Sequence, residues 1–133
     1  MKKFRAAIEH ARATGDAERV IGLLDDGAVF RSPVVHAPYE GRSQVEPLIH
    51  AVAGVFDEFR FIREIRTGEQ EGDHALVFRG RIGDRDLEGC DFLHVNSGGL
   101  IDEFYVMVRP LSGAMALAEA MRRQLASPRG DAA

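Results

Sequence analysis

A chain of 133 residues, 45% hydrophobic and 29% charged, has the composition of one globular domain, which excludes a disordered or membrane-embedded segment. Its formal net charge of −4, with acids and arginines interspersed, offers no basic stripe for a phosphate backbone, so nucleic acid is not an expected partner. No apolar run reaches bilayer-spanning length, the N-terminus (MKKFRAAIEH) turns amphipathic after two lysines, and the single cysteine, Cys90, can form no internal disulfide; together these predict a cytoplasmic protein off the membrane.

Phe4, Ile8 and Ala11 recur on one helical face, "TGD" interrupts at 14–16, and Asp16 is placed to cap a short second helix carrying Val20, Ile21 and Leu24. A short strand, "AVFRS" at 28–32, leads into the proline-bracketed loop "PVVHAPYEG". Ser43 and Glu46 then spell a capping box for a longer helix. Val45, Leu48, Ile49, Val52 and Phe56 follow its period, and Pro47 falls in the predicted first turn, where a missing N–H costs little.

From residue 59 the period changes to two, which predicts strands at 59–67, 73–83, 86–96 and 100–109 separated by "GEQEGD", "GDRD" and "NSGG". They form an antiparallel meander. After Pro110, Ser112 is placed to cap a last helix with Met115, Ala118, Met121 and Leu125, and "SPRGDAA" at 127–133 is expected to fray. The expected domain is 1–126.

One strand contains an anomaly. In "LEGCDFLHV", residues 87–95, Asp91 is in register with Leu87, Leu93 and Val95, so alternation sends its carboxyl to an apolar face. A turn at Gly83 and Asp84 pairs Arg81 with Asp86, Arg79 with Glu88, and Leu76 with Asp91. Two arginines then oppose two acids on one face, while Asp91 joins Leu76, Phe78, Ile82 and Leu87 on the other. Counting through a four-residue "NSGG" turn places Asp91 opposite Phe104, and Gly89 opposite Val106. An ionised carboxylate buried there without a partner is very costly, so Asp91 must be partnered, protonated, or facing a cavity. Cys90, Phe92, Tyr105 and Met107 make the reverse face partly apolar as well, which predicts a homodimer through Phe92, Tyr105 and Met107.

The order of elements resembles the nuclear transport factor 2-like superfamily, which includes SnoaL-like and ketosteroid isomerase-like proteins. "EGCDFLHVNSGGLIDEF" looks like its strand acid, turn glycine and last-strand isoleucine, and "AVFRSPVVHAPYEG" like its strand-to-helix entrance. The resemblance implies an α+β fold: a cone-shaped curved sheet packed on N-terminal helices around a cavity, with a C-terminal helix. It also implies that Asp91 stands where ketosteroid isomerases carry the acid that helps stabilise an enolate, an acid kept neutral by an apolar site. Ser32 stands at the position of their base aspartate and Ile8 at that of their oxyanion tyrosine. Against the related epoxide hydrolases, Gly89 and Val106 replace an arginine and a second aspartate. Fold therefore says little about chemistry here, and the site must decide.

The candidate catalytic residues are Asp91 and His36. Asp91 is an acid, base or hydrogen-bond anchor in a cavity wall, or a structural acid satisfied by a neighbour. His36, between Pro33 and Pro38 where the cone opens, is a partner for it or a solvated loop histidine. The expected lining is Phe30, Leu48, Val52, Phe78, Leu93, Phe104 and Val106. Ser32 is a further hydrogen-bonding group, and Tyr39 gates the mouth or packs its loop. The five histidines show no close metal spacing, and no metal or cofactor is expected. Two functions fit: a binder of small apolar molecules bearing one polar group, with proton-transfer chemistry such as isomerisation, cyclisation or dehydration, or a non-catalytic dimeric binding or interaction module.

Overall fold

The structure, a computed structural model, describes residues 1–126; the predicted frayed tail lies outside the described residues. Its elements are α1 (Lys2–Thr14), α2 (Glu18–Ile21), β1 (Leu24–Arg31), β2 (Tyr39–Glu40), α3 (Arg42–Val52), β3 (Glu58–Arg66), β4 (Gly72–Ile82), β5 (Arg85–Val95), β6 (Ile101–Arg109) and α4 (Leu111–Leu125). The predicted α+β class holds: a six-stranded curved, unclosed sheet runs β2-β1-β6-β5-β4-β3, with helices at both ends of the chain.

The expected meander from β3 to β6 is present, and β1 joins it in parallel beside β6. The β4–β5 register is the predicted one, including Arg81 with Asp86, Arg79 with Glu88, and Leu76 with Asp91. Two residues make that turn, with Gly83 at φ 60° in the first central position, the arrangement of a type II′ hairpin. The β5–β6 register differs from expectation by two residues: Asp91 faces Val106, Leu93 faces Phe104, and Gly89 faces Val108. The cause is an irregularity after His94 together with a longer turn, in which the Asn96 side chain accepts the N–H groups of Gly98 and Leu100. A shift of two preserves the face of every side chain, so Asp91 still points inward.

The helix boundaries moved for local reasons. Asp16 accepts the Glu18 N–H, but α2 ends at Ile21, and Leu24 begins β1 instead of closing a helical face. Helix α3 starts behind Gly41 at φ 88°, with no capping bond from Ser43, and ends at Val52, so Phe56 lies beyond it. Pro47 consequently sits in the second turn and removes one helical hydrogen bond. Helix α4 is flanked by Pro110, with no side-chain cap from Ser112. It buries Gly113, Leu117 and Ala120, while Met115 remains largely exposed. Gly113 permits this docking, because a Cβ there would stand 2.6 Å from the Leu87 Cβ.

Two apolar clusters hold the layers together. The larger joins Phe4, Ala7 and Ala11 of α1 to Val45 and Ile49 of α3 and to Leu76, Leu93 and Phe104 of the sheet. The smaller sets Leu117 and Ala120 of α4 on Ile82 and Leu87. Each fully buried leucine or phenylalanine stabilises the fold by about 1.5–3 kcal/mol.

Candidate functional site

Between the concave sheet face, α1, α3 and α4 lies a cavity of about 430 Å³. Its wall includes Asp91 and the predicted residues Phe30, Ser32, Tyr39, Leu48, Val52, Phe78, Phe104 and Val106. Leu93 is not part of that wall. It lies in the packed cluster with Phe4, whose ring meets Phe104 edge-on at 5.6 Å and fills the space above that part of the sheet. His36 is exposed and also outside the lining, since Ser32, Pro33, Val34 and Val35 of its loop line the cavity and the chain then turns to solvent.

Asp91 is 7% exposed. Burial alone pushes its carboxyl up to about 7, and no hydrogen bond or neighbouring charge among the described residues draws it back. The pleat of β5 explains the placement, because every second side chain of Leu87–Val95 faces the helices. Around it the wall is hydrocarbon and aromatic. Phe56, Phe59 and Phe78 form one floor, with ring centroids 4.9–6.0 Å apart. Phe78 also covers Gly89, whose missing side chain leaves room for the ring.

The other polar groups of the wall are few. The Ser32 hydroxyl oxygen accepts the N–H groups of Val34 at 3.0 Å and Val35 at 3.2 Å, an arrangement that shapes the loop and leaves its O–H free to donate. Arg122 lines the cavity and pairs with Glu119. Arg12 lines it as well and donates to the carbonyls of Phe56 and Phe59. Sequence spacing missed Arg12 and the Phe56–Phe59 floor, although Arg12 follows Ile8 by four residues, on the same helical face. Among the described residues, no group of His, Cys, Asp and Glu is arranged to hold a metal ion.

Compared with solved structures, the chain is 35% identical to a steroid delta-isomerase from Pseudomonas aeruginosa, at a TM-score of 0.83 over 98% of this chain and 96% of that one. An NTF2-like protein of unknown function from Exiguobacterium shares the fold at 13% identity, with a TM-score of 0.60 over 81% of this chain and 96% of that one. The chain belongs to the nuclear transport factor 2-like superfamily. An uncharacterized bacterial protein with a cystatin-like fold from Silicibacter pomeroyi is similar as well, 34% identical at a TM-score of 0.80 over 93% of this chain and 86% of that one. No family model and no curated protein matches the chain. Ser32 and Ile8 both lie in the cavity wall of this nuclear transport factor 2-like chain.

Proposed function

We propose that this protein binds a small, largely apolar molecule in the cavity with a polar group on Asp91, and that Asp91 moves a proton on that molecule. The observation that carries the reading is a buried carboxyl, unpartnered among the described residues, in a largely apolar wall. A group balanced near neutrality has both forms available at working pH, which suits general acid–base catalysis. Neutral Asp91 donates to a ligand carbonyl or hydroxyl; ionised Asp91 accepts a proton from a carbon beside a carbonyl. With no other carboxylate or histidine in the described wall, one carboxyl takes both roles in turn. Isomerisation, cyclisation or dehydration through a shuttled proton is the chemistry this favours. The relationship to a steroid delta-isomerase supports the same class, while Ser32 and Ile8, which the sequence resemblance sets at the base and tyrosine positions of ketosteroid isomerases, argue against the complete machinery of those enzymes.

The test is a carboxyl-carbon NMR titration of wild type and Asp91→Asn, repeated with a panel of hydrophobic carbonyl compounds and phenols. An Asp91 signal titrating near 7 and displaced by one compound class supports the reading. A signal in the ordinary aspartate range, indifferent to every compound, refutes it.

A second reading is a dimeric binding module without turnover, favoured by the outer sheet face, where Phe92, Tyr105 and Met107 are 40%, 37% and 51% exposed and Phe92 packs edge-on against Tyr105. In either reading the protein pairs through this face as a homodimer.

A further inference from the structure

We propose that Arg12 is a second polar pole of the cavity and that the ligand therefore carries an anionic group, making it an amphipathic acid. The proposal rests on the reading of the cavity as a ligand site and narrows the class of molecule that fills it.

Arg12 lies in the last turn of α1, where the chain of α1 passes the start of β3. Its guanidinium donates to the carbonyls of Phe59 at 3.3 Å and Phe56 at 3.1 Å and sits over the Phe59 ring, 5.7 Å from the centroid. Both phenylalanines belong to the cavity floor. The side chain is thereby fixed at the seam between helix and sheet, in contact with the cavity on one side and with a charged cleft on the other. A guanidinium has five N–H donors, and these two bonds leave three unspent.

The charge of Arg12 has no counterpart in place. No carboxylate pairs with it among the described residues, whereas Arg122, the other arginine of the cavity wall, is held by Glu119; in the cleft, Arg79, Arg81 and Arg109 are held by Glu88 and Glu58, and Arg60, which does not line the cavity, has no ion pair among the described residues. An empty cavity leaves water on the free donors. A neutral apolar ligand filling the cavity to its aromatic floor would strip that water and return nothing, which is unfavourable for a cation. A carboxylate or phenolate on the ligand offsets the loss with charge-assisted hydrogen bonds, and the preset fork of Arg12 suits a carboxylate. Such a ligand has its apolar body against Phe30, Phe78 and Phe104, its anion at Arg12, and a second polar group at Asp91.

The probes are 2-naphthylacetic acid and its uncharged amide, which share one ring system; the chain has no tryptophan to obscure their fluorescence. At about pH 6, where the probe acid is ionised and Asp91 still largely protonated, the acid is expected to bind wild type roughly tenfold more tightly than the amide, a difference that shrinks as salt is added. Arg12→Gln is expected to abolish the preference, weakening the acid far more than the amide, and Arg122→Gln to keep it. If Arg12→Gln does not fold, Arg12→Lys decides the matter: a reduced but real preference for the acid supports the proposal, and its disappearance overturns it. Equal binding of acid and amide by wild type, or loss of the preference in Arg122→Gln instead of Arg12→Gln, overturns the assignment and leaves the cavity standing. Failure of wild type to bind either probe removes the cavity reading and this proposal together.

Discussion

Replacing Asp91 by asparagine should make the protein's stability less dependent on pH, with a sign set by the buried carboxyl. Below about pH 4 this carboxyl is neutral in the folded and unfolded chain alike, and its charge costs nothing. Between about 4 and 7 the unfolded chain releases the proton while the fold retains it, so stability falls as pH rises. Above about 7 the full cost is present and constant. The interval from the ordinary 3.8 to about 7, at about 1.4 kcal/mol per pH unit, amounts to roughly 4 kcal/mol. That is an upper figure, because water admitted to the cavity would solvate the carboxylate. Urea unfolding of both proteins at low and high pH isolates the effect, since the other titrating groups are common to both. Any fixed cost of the new amide cancels in the same difference. Asp91→Asn should gain on wild type by up to roughly 4 kcal/mol on moving from about pH 4 to about pH 8.5. A free-energy difference between the two proteins that stays flat, or falls as pH rises, would refute the burial argument.

Gly89→Ala should lose about 1–3 kcal/mol in urea unfolding, because its Cβ would press on the Phe78 ring and stand 2.7 Å from the Met107 carbonyl oxygen; an unchanged midpoint would show that the ring yields freely. Asp102→Asn should lower the titration midpoint of His94 in imidazole NMR, since the Asp102 carboxylate 2.6 Å from Nδ1 holds that histidine above its ordinary value; no movement would assign the rise to Asp73 and Glu103. Phe92→Asp should convert a sedimenting dimer to a monomer without loss of secondary structure, and a wild-type monomer would end the pairing proposal.

The legibility of this fold follows the range of the forces that set it. Gly83 and Asp84 leave room for one tight turn, so everything along β4 and β5, including the inward aim of Asp91, could be counted from the sequence. The next turn could not be counted, because Asn96 both lengthens it and, through its amide, donates to Asp25 at the start of β1. Such a bond joins residues 71 apart and leaves no local pattern. The parallel pairing of β1 with β6 is nonlocal in the same way. His36 illustrates a different limit, since Pro33 and Pro38 mark a loop but do not say which of its side chains turn inward. Leu93 shares its face with Asp91, and alternation alone counts it into the wall; the packing of Phe4 from a separate helix places it in the core cluster instead. Arg12 carried only a helical-spacing signal, and its importance emerges where α1 meets carbonyls of residues 44 and 47 positions away.

The Phe78 ring resting on Gly89 has a consequence for how this site can change. Any side chain at 89 meets the Phe78 ring first and the Met107 carbonyl oxygen next. Reducing Phe78 on its own opens a void over a bare glycine, and enlarging Gly89 on its own breaks the packing. The two positions are therefore coupled, yet a smaller residue at 78 frees only one side, because the Met107 carbonyl oxygen 2.7 Å from a Cβ at 89 belongs to the neighbouring strand. The aromatic floor and the β5–β6 pairing together hold position 89 to a residue without a side chain.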